Sequence, residues 1–357
     1  MIWKTKKMKA VFGQPCDGEI FMTSENTARV LTGAEFGTKA SNNYVGAMNR
    51  VEQEIKKVIV GKDDVIRNVL TAIVAGGHIL LEDVPGVGKT TLAVACSKSM
   101  NLDYKRTQFT PDIMPSDVVG YCMYDKDEKQ KVYVPGSILC NLYLADEINR
   151  TSSKTQSALL EAMEEGNITV EGETKPLPNP FIVIATQNPV GAAGTQMLPD
   201  SQLDRFMVRL SMGYPKAESE IAMMKARSAA DPLENVSCVL TKEGLLTIRD
   251  AADNVYVHDS IYRYITDLVN RTRNHSMISL GVSPRGSLAL VAMAKAKAFL
   301  AGRNYVLPED VADVFGCTVA HRLILTATAR AQKADVMFIA KDILRSVPSP
   351  RISATGR

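Results

Sequence analysis

Continuous apolar runs alternate with helical patterns through the first part of the chain. The runs read HILLED, CNLYLADE, FIVIATQNP and, more weakly, FMVRLSM, and uninterrupted apolar strands are typical of a parallel sheet covered on both faces. Helical periods precede them over residues 44–58 and in a second helix that ends at Gly76 and Gly77. The pattern predicts a three-layer α/β domain over residues 44–215.

Beyond this domain the apolar runs stop and one helical period follows another. Pro284 and Pro308 suit the first turns of two of these helices. The pattern predicts a smaller all-helical domain over residues 216–346, between a flexible N-terminal extension (1–43) and a loose, proline- and serine-rich tail (347–357). The predicted helices of this domain cover residues 216–229, 241–253, 258–273, 285–301 and 308–330.

The composition is that of an ordinary globular protein, with 45% apolar and 23% charged residues. The net charge of +3 is far from the clustered basic excess of a dedicated nucleic-acid binder. The six cysteines show no zinc-ligand spacing, and no apolar stretch reaches the roughly 18 residues of a membrane span. We therefore expect a cytoplasmic protein with reduced thiols and no membrane span.

A glycine loop follows the first apolar run, in the stretch LLEDVPGVGKTT. It departs from the phosphate-loop pattern GxxxxGK[ST] at one position, where Asp83 replaces the first glycine. A strand, a loop and a helix in this order direct backbone N–H groups and the positive helix end at a phosphate. Lys89 is expected to neutralise the β and γ phosphates of ATP, and the Thr90 hydroxyl to bind Mg²⁺. The expected nucleotide contacts of the loop are Pro85, Gly86, Val87, Gly88, Lys89, Thr90 and Thr91.

Two later strands end in polar side chains that would complete such a site. Asp146 and Glu147 end LYLADE, and the alternation of a strand predicts that they point to opposite faces. Asp146 is expected to hold Mg²⁺, and Glu147 to orient and deprotonate the attacking water. Asn188, in IATQNP, would position that water or contact the γ phosphate. The alternatives are a glycine-rich turn with an exposed lysine, solvated carboxylates and a turn-capping asparagine.

In this order the motifs resemble those of the AAA+ ATPases, and more narrowly of the MoxR family in the helix-2-insert clade. The matching segments are GGHILLEDVPGVGKTTLA, QFTPDIMPSDVVG, LADEINRTSSKTQSALLEAMEE, IATQNP, QLDRF and SPRG. The resemblance spans residues 44–346 and implies a P-loop AAA+ core followed by a helical lid domain. It also implies Mg-ATP hydrolysis in a homo-oligomeric, hexameric ring with chaperone-like action on partner proteins, often ones with von Willebrand factor A domains. Many members read EDVPG, so Asp83 is expected to be a family variant whose carboxylate points away from phosphate.

The resemblance implies roles for five further residues. Arg205, in QLDRF, matches the arginine finger that reaches the neighbouring subunit's site, and Arg209 is its rival. Arg285, in SPRG, matches the second sensor, which contacts the γ phosphate. Val60 and Gly61 match the segment that lines the adenine pocket.

Two hairpins are expected to interrupt the α/β domain, one within residues 110–136 and one beginning at Gly166. The first carries five acidic residues and three lysines, a net charge of −2, which suits a nucleic-acid backbone poorly. A nucleic-acid-translocating motor and a nucleotide-gated switch with marginal hydrolysis stay open as alternatives. Residues 191–200 lack the family's usual acidic, histidine-containing segment, which bears on subunit contacts.

Overall fold

The structure is a computed structural model that describes residues 39–84, 86–125, 130–188, 198–227 and 231–350. Its strands are β1 (Ile79–Glu82), β2 (Tyr104–Gln108), β3 (Gly120–Asp125), β4 (Gln130–Pro135), β5 (Leu142–Asp146), β6 (Asn167–Val170), β7 (Glu173–Pro176), β8 (Ile182–Gln187), β9 (Val208–Leu210), β10 (Ile278–Leu280) and β11 (Ile324–Leu325). Its α-helices are α1 (Lys39–Lys56), α2 (Asp63–Val74), α3 (Lys89–Ser99), α4 (Pro115–Val119), α5 (Ser153–Glu165), α6 (Asp200–Leu203), α7 (Ala217–Arg227), α8 (Lys242–Asp253), α9 (Asp259–Arg273), α10 (Pro284–Leu300), α11 (Pro308–Val319), α12 (Ala327–Ala331) and α13 (Val336–Ser346).

Five parallel strands form the central sheet, in the order β2-β5-β8-β1-β9. Successive residues of β5 enter different cores, because Leu144 packs into the core that continues among the helices and Tyr143 packs into the core on the other face. Burial on both faces explains the continuous apolar runs and confirms the predicted three-layer α/β fold. The carboxyl ends of β1, β5 and β8 meet at one edge, where ligands of open parallel sheets bind.

The edge strand β2 has no apolar run, because much of it is exposed to solvent. It pairs with β5, so that Arg106 lies opposite Leu144 and Gln108 lies opposite Asp146. The apolar pattern therefore does not indicate β2, although the strand borders the predicted site.

Both expected hairpins are present. β3 pairs with β4, and β6 pairs with β7, each antiparallel. The short helix α4 leads into the first hairpin, whose tip at residues 126–129 lies outside the described residues. Tyr121, Met123 and Tyr124 of β3 are exposed.

The second part of the chain is helical, as predicted, and also contains a short antiparallel pair formed by β10 and β11. Ser283 caps α10 through a hydrogen bond from the Gly286 N–H group, and Pro284 occupies the first turn. The predicted helix over residues 308–330 is wrong beyond Val319, where α11 ends and a 3₁₀ turn begins. Arg322 is buried there and donates to the Phe206 carbonyl at 2.7 Å, so tertiary contacts override the helical period.

Other differences lie near the ends of the chain. α1 begins at Lys39, before the predicted start of the helical pattern, and α13 is absent from the predicted helices. Residues 1–38, residues 351–357 and most of the loop over residues 191–200 lie outside the described residues. Within the described part of the chain, no helix is long and apolar enough to cross a membrane.

Candidate nucleotide site

The glycine loop connects β1 to α3 and forms one wall of a cleft of about 300 Å³. Gly86 and Gly88 have φ angles of 87° and 95°, which L side chains rarely adopt, and α3 begins directly after them. The first N–H groups of α3 have no acceptor within the helix, and Lys89, Thr90 and Thr91 of its first turn line the cleft. The predicted site residues that line this cleft are Gly86, Gly88, Lys89, Thr90, Thr91, Asp146, Glu147 and Asn188.

Asp83 faces away from the cleft and holds the chain after β9. Its buried carboxylate accepts hydrogen bonds from the Ser211 hydroxyl at 3.0 Å, the Gly213 N–H at 3.1 Å and the Met212 N–H. Asp83 therefore joins the glycine loop to the segment after β9. Its carboxylate points away from the cleft, as expected.

Lys89 lies on the cleft floor and is buried. Its ammonium group donates to the Asp83 carbonyl at 2.7 Å. Burial lowers the pKa of Lys89, and nearby carboxylates, Asp83 first and then Asp146, oppose that effect. A polyphosphate would add further negative charge beside this ammonium, so the site favours an anionic ligand.

Asp146 ends β5 and already has two partners. Its Oδ2 accepts from Arg106 Nη2 at 2.7 Å, and its Oδ1 accepts from the Thr186 hydroxyl at 2.6 Å. The Thr90 hydroxyl lines the same cleft. Hydroxyl and carboxylate oxygens suit Mg²⁺, which is usually bound by few protein oxygens together with phosphates, so the residues present fit that ion.

Glu147 follows β5 in a left-handed conformation, with φ 57° and ψ 46°. The expectation that Asp146 and Glu147 point to opposite faces assumed that both lie in the strand, but β5 ends at Asp146, Glu147 lies in the turn that follows, and both residues line one cleft. Glu147 accepts from Arg150 Nη1 at 2.7 Å and from Asn188 Nδ2 at 3.0 Å. The hydrogen bond from Arg150 is the main cause that lowers the pKa of Glu147, which keeps the carboxylate ionised.

The two predicted arginines lie around a second cavity of about 330 Å³. Arg205 Nη1 lies 3.2 Å from Glu164 Oε2, and Arg285 Nη2 is paired with Glu164 Oε1. Arg285 is thus next to Arg205 and not among the residues that line the cleft of Lys89. The rival Arg209 lies on β9, with its Nη1 3.3 Å from Glu82 Oε2.

Of the remaining predicted contacts, Val60, Gly61 and Val87 are not among the residues that line the cleft. Gly61 has a φ angle of 72° and packs against α7, where an added Cβ would lie 2.3 Å from Ser219 Oγ. Val60 is half-buried in the same segment. Val87 is partly buried against the core, and Pro85 lies outside the described residues.

Sequence reasoning missed three charged residues that contact the predicted ones. Arg106 binds Asp146, Arg150 binds Glu147, and Glu164 binds both Arg205 and Arg285. Arg150 follows Glu147 by one short helical turn, a spacing that indicates proximity. Arg106 lies on the exposed strand β2, two residues before the partner of Asp146, and no apolar pattern indicates that strand.

Two family models and several known proteins match this chain. The sequence model of the ATPase family associated with various cellular activities (AAA) matches residues 78–208, and that of the AAA lid domain matches residues 270–343. The chain is 46% identical over 303 residues to YeaC of Bacillus subtilis (strain 168), which covers 85% of this chain and 95% of that protein. It is 35% identical over 319 residues to Chaperone MoxR1 of Mycobacterium tuberculosis (strain ATCC 25618 / H37Rv), which covers 87% and 84% of the two chains.

A solved structure from Cytophaga hutchinsonii (ATCC 33406) has the same fold. The two structures superimpose with a TM-score of 0.81 at 40% identity, over 87% of this chain and 97% of that one. The similarity to these proteins includes both the sheet domain and the helical lid. The chain therefore belongs to the MoxR family of AAA+ ATPases.

Proposed function

We propose that the protein hydrolyses Mg-ATP and uses the resulting changes to remodel or activate partner proteins in the cytoplasm. One observation carries the proposal: a single cleft brings together the Lys89 ammonium, the Thr90 hydroxyl and three polar side chains from the ends of β5 and β8. A cation for phosphate, an oxygen set for Mg²⁺ and a carboxylate for water are the parts that phosphoryl transfer to water requires.

Each residue then has a defined task. Thr90 and Asp146 would hold Mg²⁺, which supplies charge neutralisation to the β and γ phosphates when bound. Lys89 would bind the same phosphates through its ammonium group. Glu147 orients the attacking water and accepts its proton, and Asn188 holds the Glu147 carboxylate through the amide contact at 3.0 Å.

Arg205 and Arg285 complete the site from a neighbouring protomer. Both arginines line the second cavity, and neither is among the residues that line the cleft of their own protomer. Two guanidinium groups at one place form a phosphate-binding pair that a neighbour's nucleotide can reach in a ring. This arrangement favours Arg205 over Arg209 as the finger and supports a homo-oligomeric, hexameric assembly.

The partners are proposed to be proteins rather than nucleic acids. A relative is named Chaperone MoxR1, and the exposed β3–β4 hairpin presents Tyr121, Met123 and Tyr124. Exposed apolar and aromatic side chains on a hairpin suit contact with a protein surface. Proteins with von Willebrand factor A domains are the candidate clients, as the family resemblance implies.

One observation favours a second function, a nucleotide-gated switch with marginal hydrolysis. Asp146 is paired with Arg106, and Glu147 is paired with Arg150, so both carboxylates are engaged. If these ion pairs persist when nucleotide is bound, the nucleotide would stabilise the ring but would not be hydrolysed.

Phosphate release separates the two functions. We expect wild-type turnover to rise with protein concentration, and Glu147→Gln to lower it at least about 100-fold while ATP affinity is retained. The matched control is Glu161→Gln, an exposed carboxylate on α5. Equal turnover of wild type and Glu147→Gln would favour the switch, and strong stimulation by DNA would favour a nucleic-acid motor.

Arg205→Ala tests the assembly. We expect it to abolish the dependence of turnover on protein concentration, because the finger contributes about a thousandfold or more to the rate from across the interface. Nucleotide binding should stay near wild type, since Arg205 lines another cavity. Unchanged turnover would contradict the assignment of Arg205 as the finger.

A further inference from the structure

Glu164 is shared by the two arginines that the proposed function places in trans. It lies near the end of α5, Arg205 follows α6, and Arg285 is the second residue of α10. The two oxygens of its carboxylate are divided between them, Oε2 to Arg205 at 3.2 Å and Oε1 to Arg285. One carboxylate therefore joins the sheet domain and the lid domain at their arginines.

The cluster remains able to bind an anion. Two guanidinium groups and one carboxylate leave a net charge of +1, and the side chains of Arg205 and Arg285 are 30% and 40% exposed. Arg205 Nε is buried without a hydrogen-bond partner among the described residues. Each guanidinium has five N–H donors, so the contacts with Glu164 leave donors for a phosphate.

A second contact fixes the same two segments. Asp204 Oδ2 accepts from the Ser283 hydroxyl at 2.8 Å, and Asp204 Oδ1 accepts from Arg322 Nε at 2.7 Å. Asp204 precedes Arg205, and Ser283 caps the helix that carries Arg285. The start of α10 is thus anchored beside Arg205. The contacts with Glu164 then restrict the positions that the two guanidinium groups can take.

We propose that Glu164 is a positioning residue that holds Arg205 and Arg285 at the spacing needed to bind one phosphate of a neighbouring copy's nucleotide. Without the carboxylate the two like charges repel and separate. The inference rests on the proposed trans arrangement and adds a residue to it. A small displacement of the pair is expected to reduce turnover and leave ATP binding to the protomer's own cleft intact.

Charge removal at Glu164 gives the first test. We expect Glu164→Gln to lower kcat by about tenfold to a hundredfold at saturating protein, with an unchanged KM for ATP. Glu164→Asp keeps the charge and should restore part of kcat. Glu165→Gln is the matched control, because Glu165 is the exposed neighbour on the same helix. Loss of both kcat and ATP binding, or no loss of kcat, would overturn the positioning role.

Mixed assemblies assign the effect to one side of the interface. Lys89→Ala protomers keep both arginines but lose the ammonium group that binds phosphate. Arg205→Ala protomers keep the nucleotide cleft but lose the finger. A mixture of the Lys89→Ala and Arg205→Ala protomers should therefore restore turnover. When the Lys89→Ala protomer is replaced by the double variant Lys89→Ala, Glu164→Gln, the restored turnover should fall about tenfold or more.

The mixtures also separate the two possible failures. No restoration in the first mixture would overturn the trans arrangement, and the role of Glu164 with it. Full restoration with the double variant would overturn only the role of Glu164. Nucleotide binding by the Glu164→Gln protomer, measured with a fluorescent ATP analogue, shows that the variant is folded.

Discussion

The Asp83 carboxylate accepts a hydrogen bond from the N–H group of Gly213 at 3.1 Å. Asp83 occupies the position where the phosphate-loop pattern has its first glycine. The Met212 N–H group donates to the same buried carboxylate. Restoring the pattern with Asp83→Gly therefore removes two backbone contacts instead of improving the loop.

We expect Asp83→Gly to lower the free energy of unfolding by about 2–5 kcal/mol, because each unpaired buried N–H group costs about 1–3 kcal/mol. Asp83→Asn keeps an acceptor oxygen and should lose less. Urea denaturation measures both, with the exposed Asp267→Asn on α9 as control. A Gly variant as stable as wild type would show that the carboxylate contacts contribute nothing.

The pair formed by Arg106 and Asp146 predicts how the protein responds to Mg²⁺. The guanidinium lies 2.7 Å from the oxygen of a predicted ligand, so a metal ion entering there meets a positive charge. We expect Arg106→Ala to lower the Mg²⁺ concentration at half-maximal nucleotide binding by roughly threefold to tenfold, because solvent partly screens the charge of Arg106, whose side chain is 43% exposed. Arg106→Lys should lie between the two.

Titration of a fluorescent ATP analogue against Mg²⁺ measures the midpoint without requiring turnover. Lys105→Ala, on the same strand, is the matched control, because Lys105 is exposed and pairs opposite Tyr143 in the sheet. An unchanged or raised midpoint in Arg106→Ala would show that the ion pair does not compete with the metal.

The contrast between the predicted and the missed residues has a physical cause. Lys89 and Thr90 belong to one short motif, so their spacing alone predicts the contact with phosphate. Arg106 meets Asp146 across 40 positions, and Glu164 meets Arg285 across 121. Such pairs depend on the order of strands and the docking of the lid, which no local pattern records.

The strands and helices show the same contrast. Strands β1, β5 and β8 are buried on both faces and were predicted from apolar runs, whereas the exposed edge strand β2 was not. The break after Val319 was also missed, because it is set by the burial of Arg322 against the sheet domain. Element type follows from local periodicity, and interruptions follow from tertiary contacts.

Partly buried His78 predicts a loss of stability in acid. Its Nδ1 accepts from the Val183 N–H at 3.0 Å, and its Nε2 donates to the Met163 carbonyl at 3.0 Å. Burial lowers the pKa of His78 to about 4, so the unfolded state takes up a proton first as the pH falls below 6.5. The contribution of neutral His78 to the free energy of unfolding is therefore fully present above pH 6.5 and is lost progressively as the pH falls towards 4.

This gap between the folded and unfolded pKa corresponds to about 3 kcal/mol of unfolding free energy. Burial also lowers the pKa of His321, which adds a loss of the same sign. We expect His78→Gln to show a shallower decline between pH 7 and 4 in urea titrations. His258→Asn, at an exposed helix cap, should keep the wild-type slope. Equal slopes in all three proteins would contradict the assignment.

Arg322 is buried and joins the lid to the sheet domain through an ion pair with Asp204, whose side chain is 22% exposed. Its Nε donates to Asp204 Oδ1 at 2.7 Å, and its Nη2 donates to the Phe206 carbonyl at 2.7 Å. We expect Arg322→Met to lower the free energy of unfolding by about 3–5 kcal/mol, because Asp204 is left without its cationic partner. The double variant Arg322→Met, Asp204→Asn should recover part of that loss, since it removes the uncompensated charge. Urea denaturation tests both against the exposed Arg263→Met, and equal loss in single and double variants would show that packing, not charge, holds this junction.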